Sequence, residues 1–125
     1  MDGFALLLGH LVGDYIVQTD WMANNKTTNG VIGYYSCFVH CICYTLSIAA
    51  FSWFWMPWWG YIVCFGFHYP IDKWRLAKWW MMNVSGQKGF ATGLLSPWSI
   101  IIVDNVFHLL TLYGIWVVWT LTKGS

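Results

Sequence analysis

The sequence predicts an all-α protein, an antiparallel bundle of four transmembrane helices that forms a single domain over residues 1–125. Composition is the first observation, because 58% of the residues are hydrophobic, 11 are Trp and only 9% are charged. A water-soluble domain carries about a quarter charged residues, so most of this surface is expected to face lipid. The second observation is that four apolar segments, each of roughly the 17 to 25 residues that a span requires, alternate with polar or proline-containing connections.

The predicted spans cover residues 3–19, 31–55, 58–78 and 97–120. The first is short, lacks a basic leading region and is therefore not expected to be a cleavable signal peptide. Its Gly9 and Gly13 form a small-xxx-small pair that favours close approach of another helix. Residues 20–30 and 83–96 are rich in polar residues and glycine, which predicts loops. We expect Pro70 to kink the third span and Pro97 to begin the fourth.

Basic residues predict the orientation in the membrane. Lys26 lies in the first connection, and Lys73, Arg75, Lys78 and Lys88 lie in or near the third, whereas the second connection has none. By the positive-inside rule, the first and third connections face the cytoplasm and both termini lie outside it. The net charge of only +1 argues against nucleic acid as a partner.

Seven histidines and aspartates lie inside the apolar segments: His10, Asp14, His40, His68, Asp72, Asp104 and His108. Three pairs among them are spaced i, i+4, so each pair shares one face of a helix. Counted from the cytoplasmic ends of the spans, the histidines lie about ten residues in, or about 15 Å, and the aspartates about six residues in, or about 9 Å. We therefore expect all four histidines in one buried layer, with a carboxylate layer one turn nearer the cytoplasm.

This cluster predicts a metal site. An unpartnered, ionised aspartate in hydrocarbon costs at least about 2.5 to 3.5 kcal/mol, so three of them require compensation. Imidazole and carboxylate are typical ligands of zinc, manganese or iron, and seven candidates suffice for one or two ions. Hydrogen-bonded pairing that holds the helices together and a proton or ion relay remain open alternatives. The cysteines lie in apolar runs and are not expected to form disulfides, although Cys37, Cys41 and Cys64 could add a thiolate to a zinc site.

Further polar residues are candidates for contacts with a substrate or with the ligands: Gln18, Asp20, Lys26, Arg75, Asn105 and Thr111. Lys26 and Arg75 could bind an anionic head group or a phosphate, whereas Lys73 and Lys78 fit positive-inside anchoring. Asn105 and Thr111 extend the polar stripe of the last span and could orient the ligands.

Four blocks of the sequence carry a family resemblance: the run from His10 to Lys26, the isolated His40, HYPIDKWR at residues 68–75 and VDNVFHLL at residues 103–110. They resemble a family of small bacterial and phage membrane proteins of unknown function, with the pattern H-x-x-G-D-[FY]-x-x-Q-[TS]-[DH]-x-M-x-x-x-K, a later His, H-[FW]-x-I-D and D-Q-x-x-H. Here Tyr69 and Pro70 precede the Ile-Asp pair and Asn105 stands where Gln is common, which keeps the candidate ligands in place. The resemblance implies a helical bundle in a bacterial inner membrane and no established activity. At the level of class, the chain is also similar to membrane-bound metal-dependent hydrolases.

The predicted function is a membrane-embedded, metal-dependent hydrolase that acts on a lipid-linked or amphipathic phosphate or ester. All seven histidines and aspartates are predicted ligands of the metal, and His40 and Asp14 are predicted catalytic residues, with His40 as a ligand or general base. The competing hypotheses are an ion or proton pathway, including one formed by a homo-oligomer, and a phage-type structural membrane protein that binds a host partner.

Overall fold

The computed structural model describes residues 2–123, and these fold entirely into helices and their connections. The helices are α1 (Gly3–Leu11), α2 (Asp20–Asn25), α3 (Val31–Phe51), α4 (Trp58–Lys73), α5 (Leu76–Asn83), α6 (Lys88–Thr92) and α7 (Trp98–Thr122), and a π-helical turn, Val12–Ile16, follows α1 directly. Since these residues include no strand, the all-α prediction is confirmed.

Four elements enclose the centre of the molecule. The helix α1 with its π-helical turn packs on α3, α3 on α4, α4 on α7, and α7 closes the ring on α1. By length and composition, α3 and α7 are the two helices apolar enough to cross a membrane, and Gly3–Ile16 is a shorter apolar helix. Gly9 and Gly13 allow the close contact with α3, since a Cβ at Gly9 would lie 3.1 Å from Ile48 Cα and a Cβ at Gly13 would lie 2.8 Å from Tyr44 Cδ2.

One half of this ring is filled by an apolar core. Its buried residues are Leu6, Tyr44, Ile48, Met56, Cys64, Leu112 and Ile115. In α1 and α4 the core residues come before the histidine along the chain, as Leu6 comes before His10. In α3 and α7 they come after it, as Ile48 comes after His40. Neighbouring helices of the ring therefore run in opposite directions, with the apolar core on one side of the histidines.

Two predicted loops contain helices. The predicted loop at residues 20–30 contains α2, because the Thr19 side chain caps that helix by accepting a hydrogen bond from the Met22 amide at 3.3 Å. Met22 is buried, and α2 packs on α3. The predicted loop at residues 83–96 likewise contains α6.

Two predicted spans end early. The second ends at Phe51 because Trp53 and Phe54 adopt a left-handed backbone, with φ of 55° and 58°, which cannot continue an α-helix. The third continues through Pro70 and ends at Lys73, and Arg75, with φ of 49°, turns the chain into α5. Lys73 is buried and donates to the Thr28 carbonyl, so it ties α4 to the connection before α3 instead of anchoring the surface.

Candidate metal centre

Six of the seven predicted ligands meet at the centre of the ring. The π-helical turn supplies Asp14, α3 supplies His40, α4 supplies His68 and Asp72, and α7 supplies Asp104 and His108. All are buried except Asp104, whose side chain is 29% exposed. Four separate elements thus bring imidazoles and carboxylates into one small volume.

The first ligand group consists of Asp14, His40, His68 and Asp72, each with one donor atom within 4.8 Å of the others. Five of the six distances between Asp14 Oδ1, Asp72 Oδ2 and the two histidine Nε2 atoms lie between 2.9 and 3.5 Å. Ligands at the corners of a tetrahedral zinc site, with bonds of about 2.0 to 2.1 Å, are separated by about 3.3 Å. The group therefore already has the dimensions of a tetrahedral metal site.

The second ligand group consists of Asp14, Asp104 and His108. His108 Nε2 lies 3.2 Å from Asp104 Oδ2 and 4.0 Å from Asp14 Oδ2. Asp14 thus belongs to both groups, with Oδ1 towards His40 and His68 and Oδ2 towards His108. Asp14 could therefore help to hold an ion in either group.

Asp14 reaches the centre from the π-helical turn. In that turn the Val17 amide donates to the Val12 carbonyl at 2.9 Å, five residues back instead of four. The inserted residue changes the register of the helix, and such turns are frequent at functional sites. Gly13 packs on Tyr44 at this point, so the contact with α3 and the placement of Asp14 depend on each other.

His10 is buried beside the cluster but lies outside both ligand groups. Its Nε2 lies 2.6 Å from Asn105 Oδ1 and its Nδ1 lies 2.8 Å from the Tyr44 hydroxyl. Because an amide oxygen only accepts, Nε2 carries the proton and Nδ1 accepts from Tyr44. Both ring nitrogens are therefore engaged with side chains of other helices, in place of the metal contact expected from the sequence.

Tyr44 is the residue that the sequence interpretation missed. Its ring stacks on His68 with the centroids 3.8 Å apart, while its hydroxyl holds His10. The spacing of four residues from His40 places it on the same face of α3, and this signal was available in the sequence. Tyr44 is a member of the apolar core and lies at its boundary with the polar cluster.

The other predicted residues divide into those that touch the cluster and those that do not. Gln18 donates to the Asp14 carbonyl at 3.5 Å, and Asn105 holds His10 and also donates to the Tyr15 hydroxyl. Asp20 is exposed at the start of α2 and belongs to neither ligand group. Thr111 donates to the Phe107 carbonyl of its own helix, so it does not orient a ligand.

The cysteines stay outside the site. All four are free, and none belongs to a ligand group. Cys37 Sγ donates to the Tyr69 carbonyl at 3.7 Å. The geometry therefore offers imidazole and carboxylate as ligands, without a thiolate.

Lys26, in the connection between α2 and α3, pairs directly with the cluster. Its Nζ lies 2.8 Å from Asp72 Oδ2, and its side chain is only 18% exposed. Burial opposes the charged form, but attraction by the Asp72 carboxylate outweighs burial and raises the pKa of Lys26 above its usual value. Lys26 is therefore a charged partner of the carboxylate that also faces His40 and His68.

A cavity of about 430 Å³ opens beside the cluster. Its charged lining residues are Lys26, Asp72, Arg75, Lys78 and Asp104. The remainder of the lining is largely apolar and includes Ile71, Ile100 and Ile101. Since the apolar core fills the opposite side, this cavity gives the cluster its access to the surroundings.

The fold and the site together define an all-helical protein with a buried cluster of histidines and aspartates that could hold a metal ion. A family model described as "Protein of unknown function (DUF3307)" matches residues 4–125, and the chain belongs to that family. The match includes every member of both ligand groups, and the resemblance to an uncharacterised family is confirmed. Comparisons with curated proteins and with solved structures found no match.

Proposed function

We propose that this protein is a membrane-embedded, metal-dependent hydrolase that acts on a phosphate or an ester of a lipid-linked or amphipathic molecule. One observation carries the proposal: Asp14, His40, His68 and Asp72 converge at metal-ligand spacing beside a charged cavity. Burial of so many ionisable groups is costly unless they are paired or bind an ion. A cluster of ionisable groups that is buried at such a cost and faces a cavity is typical of a site for chemistry.

The proposed location is a bacterial inner membrane, crossed four times, with both termini outside the cytoplasm. Support comes from α7, on which Ile102, Val106, Leu110 and Tyr113 form an exposed stripe of large apolar side chains. Such a surface is stable in lipid and unfavourable in water. The elements Gly3–Ile16 and α4 are shorter than the about 20 residues of an ordinary span, and local thinning of the bilayer would accommodate them.

The donor set suits zinc, manganese or iron, in one or two copies. Asp14 Oδ1 supports this assignment, because it is buried and accepts no hydrogen bond of good geometry among the described residues, although His40 Nε2 and His68 Nε2 lie 3.2 Å and 3.5 Å away. A buried acceptor without a partner is rare, and a cation at this position would satisfy it. When bound, a divalent ion polarises a phosphoryl or carbonyl oxygen and lowers the pKa of water in contact with it.

Hydrolysis adds the oxygen of water to phosphorus or to the ester carbon, and the alcohol leaves with a proton. His40 and Asp14, the predicted catalytic residues, lie 3.2 Å apart within the first ligand group, so we assign them to holding the ion. Asp104 is partly exposed, lines the cavity and contacts His108 at 3.2 Å. For a site with one ion in the first ligand group, we therefore assign the Asp104–His108 pair to accepting the proton of the attacking water. With two ions the pair would hold the second ion instead.

A proton or ion pathway is the weaker hypothesis. Conduction requires polar groups or water along the whole path through a bundle. Here Leu6, Ile48, Leu112 and Ile115 are buried in the half of the bundle opposite the cavity. A site that opens on one side of the bundle favours binding and chemistry over conduction of a proton or ion through the bundle.

The test is metal analysis combined with an activity assay. Protein purified in detergent without chelator is expected to contain one or two transition-metal ions per chain, and Asp72→Asn is expected to lose at least one. Asp20→Asn is the matched control, because Asp20 is exposed and outside both ligand groups. The metal-loaded protein is expected to hydrolyse phosphatidic acid or a fatty-acid ester in mixed micelles, and chelation should abolish that activity. Absence of stoichiometric metal, or turnover that ignores the chelator, would refute the proposal.

A further inference from the structure

We propose that the charged cavity is a binding subsite for a phosphate group and that Lys26 couples its occupancy to metal binding by exchanging one partner for another. This inference rests on the metal site proposed above and specifies the ligand that the site receives.

The cavity contains cationic side chains without acidic partners. Arg75 and Lys78 line it, and neither forms an ion pair within the described residues. The lining has two carboxylates, Asp72 and Asp104, against three cations, and Asp72 is paired with Lys26. The free charge of the cavity is therefore positive, and planar guanidinium with ammonium is a typical phosphate-binding set.

Lys26 lines the same cavity, but its ammonium pairs with Asp72 of the first ligand group. Asp72 Oδ2 accepts from Lys26 Nζ at 2.8 Å, and the same oxygen lies 2.9 Å from His40 Nε2 and 3.2 Å from His68 Nε2. The ion that fits the first ligand group needs this oxygen. Lys26 is thus the counter-charge that Asp72 requires when no ion is present.

Binding of a divalent ion changes the partner of Lys26. With an ion held by the first ligand group, Asp72 would no longer require Lys26 as a counter-charge, and the ammonium would be repelled, because like charges at short distance inside a protein interact strongly. The ammonium then turns into the cavity and joins Arg75 and Lys78. Ion binding therefore strengthens phosphate binding, and by thermodynamic linkage phosphate strengthens ion binding by the same factor.

The shared chemistry is a phosphate anion, and two sources can supply it. A cavity of about 430 Å³ lies within the range of about 300 to 1,000 Å³ for small-molecule sites. Inorganic phosphate would occupy only the charged part. A lipid phosphate would also place an acyl chain along Ile71, Ile100 and Ile101, which are part of the lining.

The first experiment measures binding in two arms, with the detergent-purified full chain in the presence and absence of Mn²⁺. One arm measures radiolabelled inorganic phosphate by equilibrium dialysis, and the other measures phosphatidic acid retained from phosphatidylcholine nanodiscs by native mass spectrometry. Mn²⁺ is expected to tighten binding at least tenfold in one or both arms. Retention in the lipid arm alone assigns the source to a lipid phosphate. No binding to metal-loaded protein in either arm would overturn the inference.

The second experiment locates the subsite with variants. Arg75→Gln and Lys78→Gln are each expected to weaken phosphate binding at least tenfold with unchanged metal content. Lys88→Gln is the matched control, since Lys88 is exposed and does not line the cavity. Equal affinity in all three variants would contradict the assignment. Arg75 is exposed, so its replacement keeps the test valid even if a buried variant fails to fold.

The third experiment tests the exchange by Lys26. Lys26→Met is expected to bind metal at least as tightly as the unaltered protein, while its phosphate affinity no longer rises on addition of Mn²⁺. A full Mn²⁺ response in this variant would refute the coupling. Protein that holds metal but binds no phosphate would overturn this inference alone, whereas protein that holds no metal would overturn the proposed function as well.

Discussion

The two halves of the bundle are built from the same four elements but differ in what stabilises them. On one side of Tyr44, apolar side chains such as Ile48 and Ile115 fill the interior, and their burial is favourable by itself. On the other side, His40, His68, Asp14 and Asp72 are buried, and their burial is favourable only with suitable partners. An apolar filling would have been the simpler way to close the bundle. The charged groups of the polar half require partners, which is the basis of the metal centre proposed above.

Truncation in the apolar half is expected to have the largest effect on stability. Ile48→Ala removes a fully buried side chain at the contact with α1, which should lower the free energy of unfolding by about 2 to 5 kcal/mol. Metal content should not change, because Ile48 is not a member of a ligand group. Denaturant unfolding in detergent measures the loss, and Ile42→Ala, at an exposed position of α3, is the control. A similar loss in both variants would remove the distinction between the packed core and the exposed surface of α3.

Removal of metal is expected to act on the polar half alone. An ion that binds only the folded state stabilises it by about 2.7 kcal/mol when its free concentration is 100 times the dissociation constant. Chelation should therefore lower the melting temperature, and added zinc, manganese or iron should restore it. Asp72→Asn should show a smaller change in melting temperature on chelation than the unaltered protein, because it has lost the ion of the first ligand group. Unaltered protein that is insensitive to chelation would favour hydrogen-bonded pairing of the cluster.

The boundary between the halves is expected to show a smaller, combined effect. Gly13→Ala would place a Cβ 2.8 Å from Tyr44 Cδ2 and 3.2 Å from Tyr44 Cα, and such overpacking costs about 1 to 3 kcal/mol. The displacement should also shift Asp14 and weaken metal binding, which a competition titration with a chelating dye measures. Gly66→Ala is the control, because nothing lies within 4 Å of the Cβ it would add. Unchanged metal affinity in Gly13→Ala would show that the π-helical turn does not determine metal binding at the site.

Much of the candidate site could be predicted because its pattern is repeated along the chain. His68 with Asp72 and Asp104 with His108 share helix faces at equal depth, and the structure brings both pairs to the centre. His10 has the same spacing from Asp14, and its Nδ1 lies 3.7 Å from Asp14 Oδ2, yet the hydrogen bonds of its ring go to Tyr44 and Asn105. Those partners are 34 and 95 residues away along the chain, so no local pattern could distinguish His10 from a ligand.

Helices were predictable where the length of an apolar segment determines them. They were less predictable where contacts between helices determine the local structure. The fourth predicted span, residues 97–120, differs from α7 by at most two residues at each end. The π-helical turn was not predictable, because it depends on the contact between Gly13 and Tyr44 of another helix. The helix α2 was missed since polar composition suggested a loop, although Thr19 is a recognisable cap.

The most direct test of the account is an anomalous-scattering map, recorded at the absorption edge of the metal, from crystals of protein purified without chelator. We expect a peak between Asp14, His40, His68 and Asp72, with ligand distances of about 2.0 to 2.2 Å. A second peak is expected between Asp14, Asp104 and His108 if two ions bind. An empty map, or a peak at the cysteines instead of this cluster, would contradict the claim that the polar half of the bundle is a metal centre.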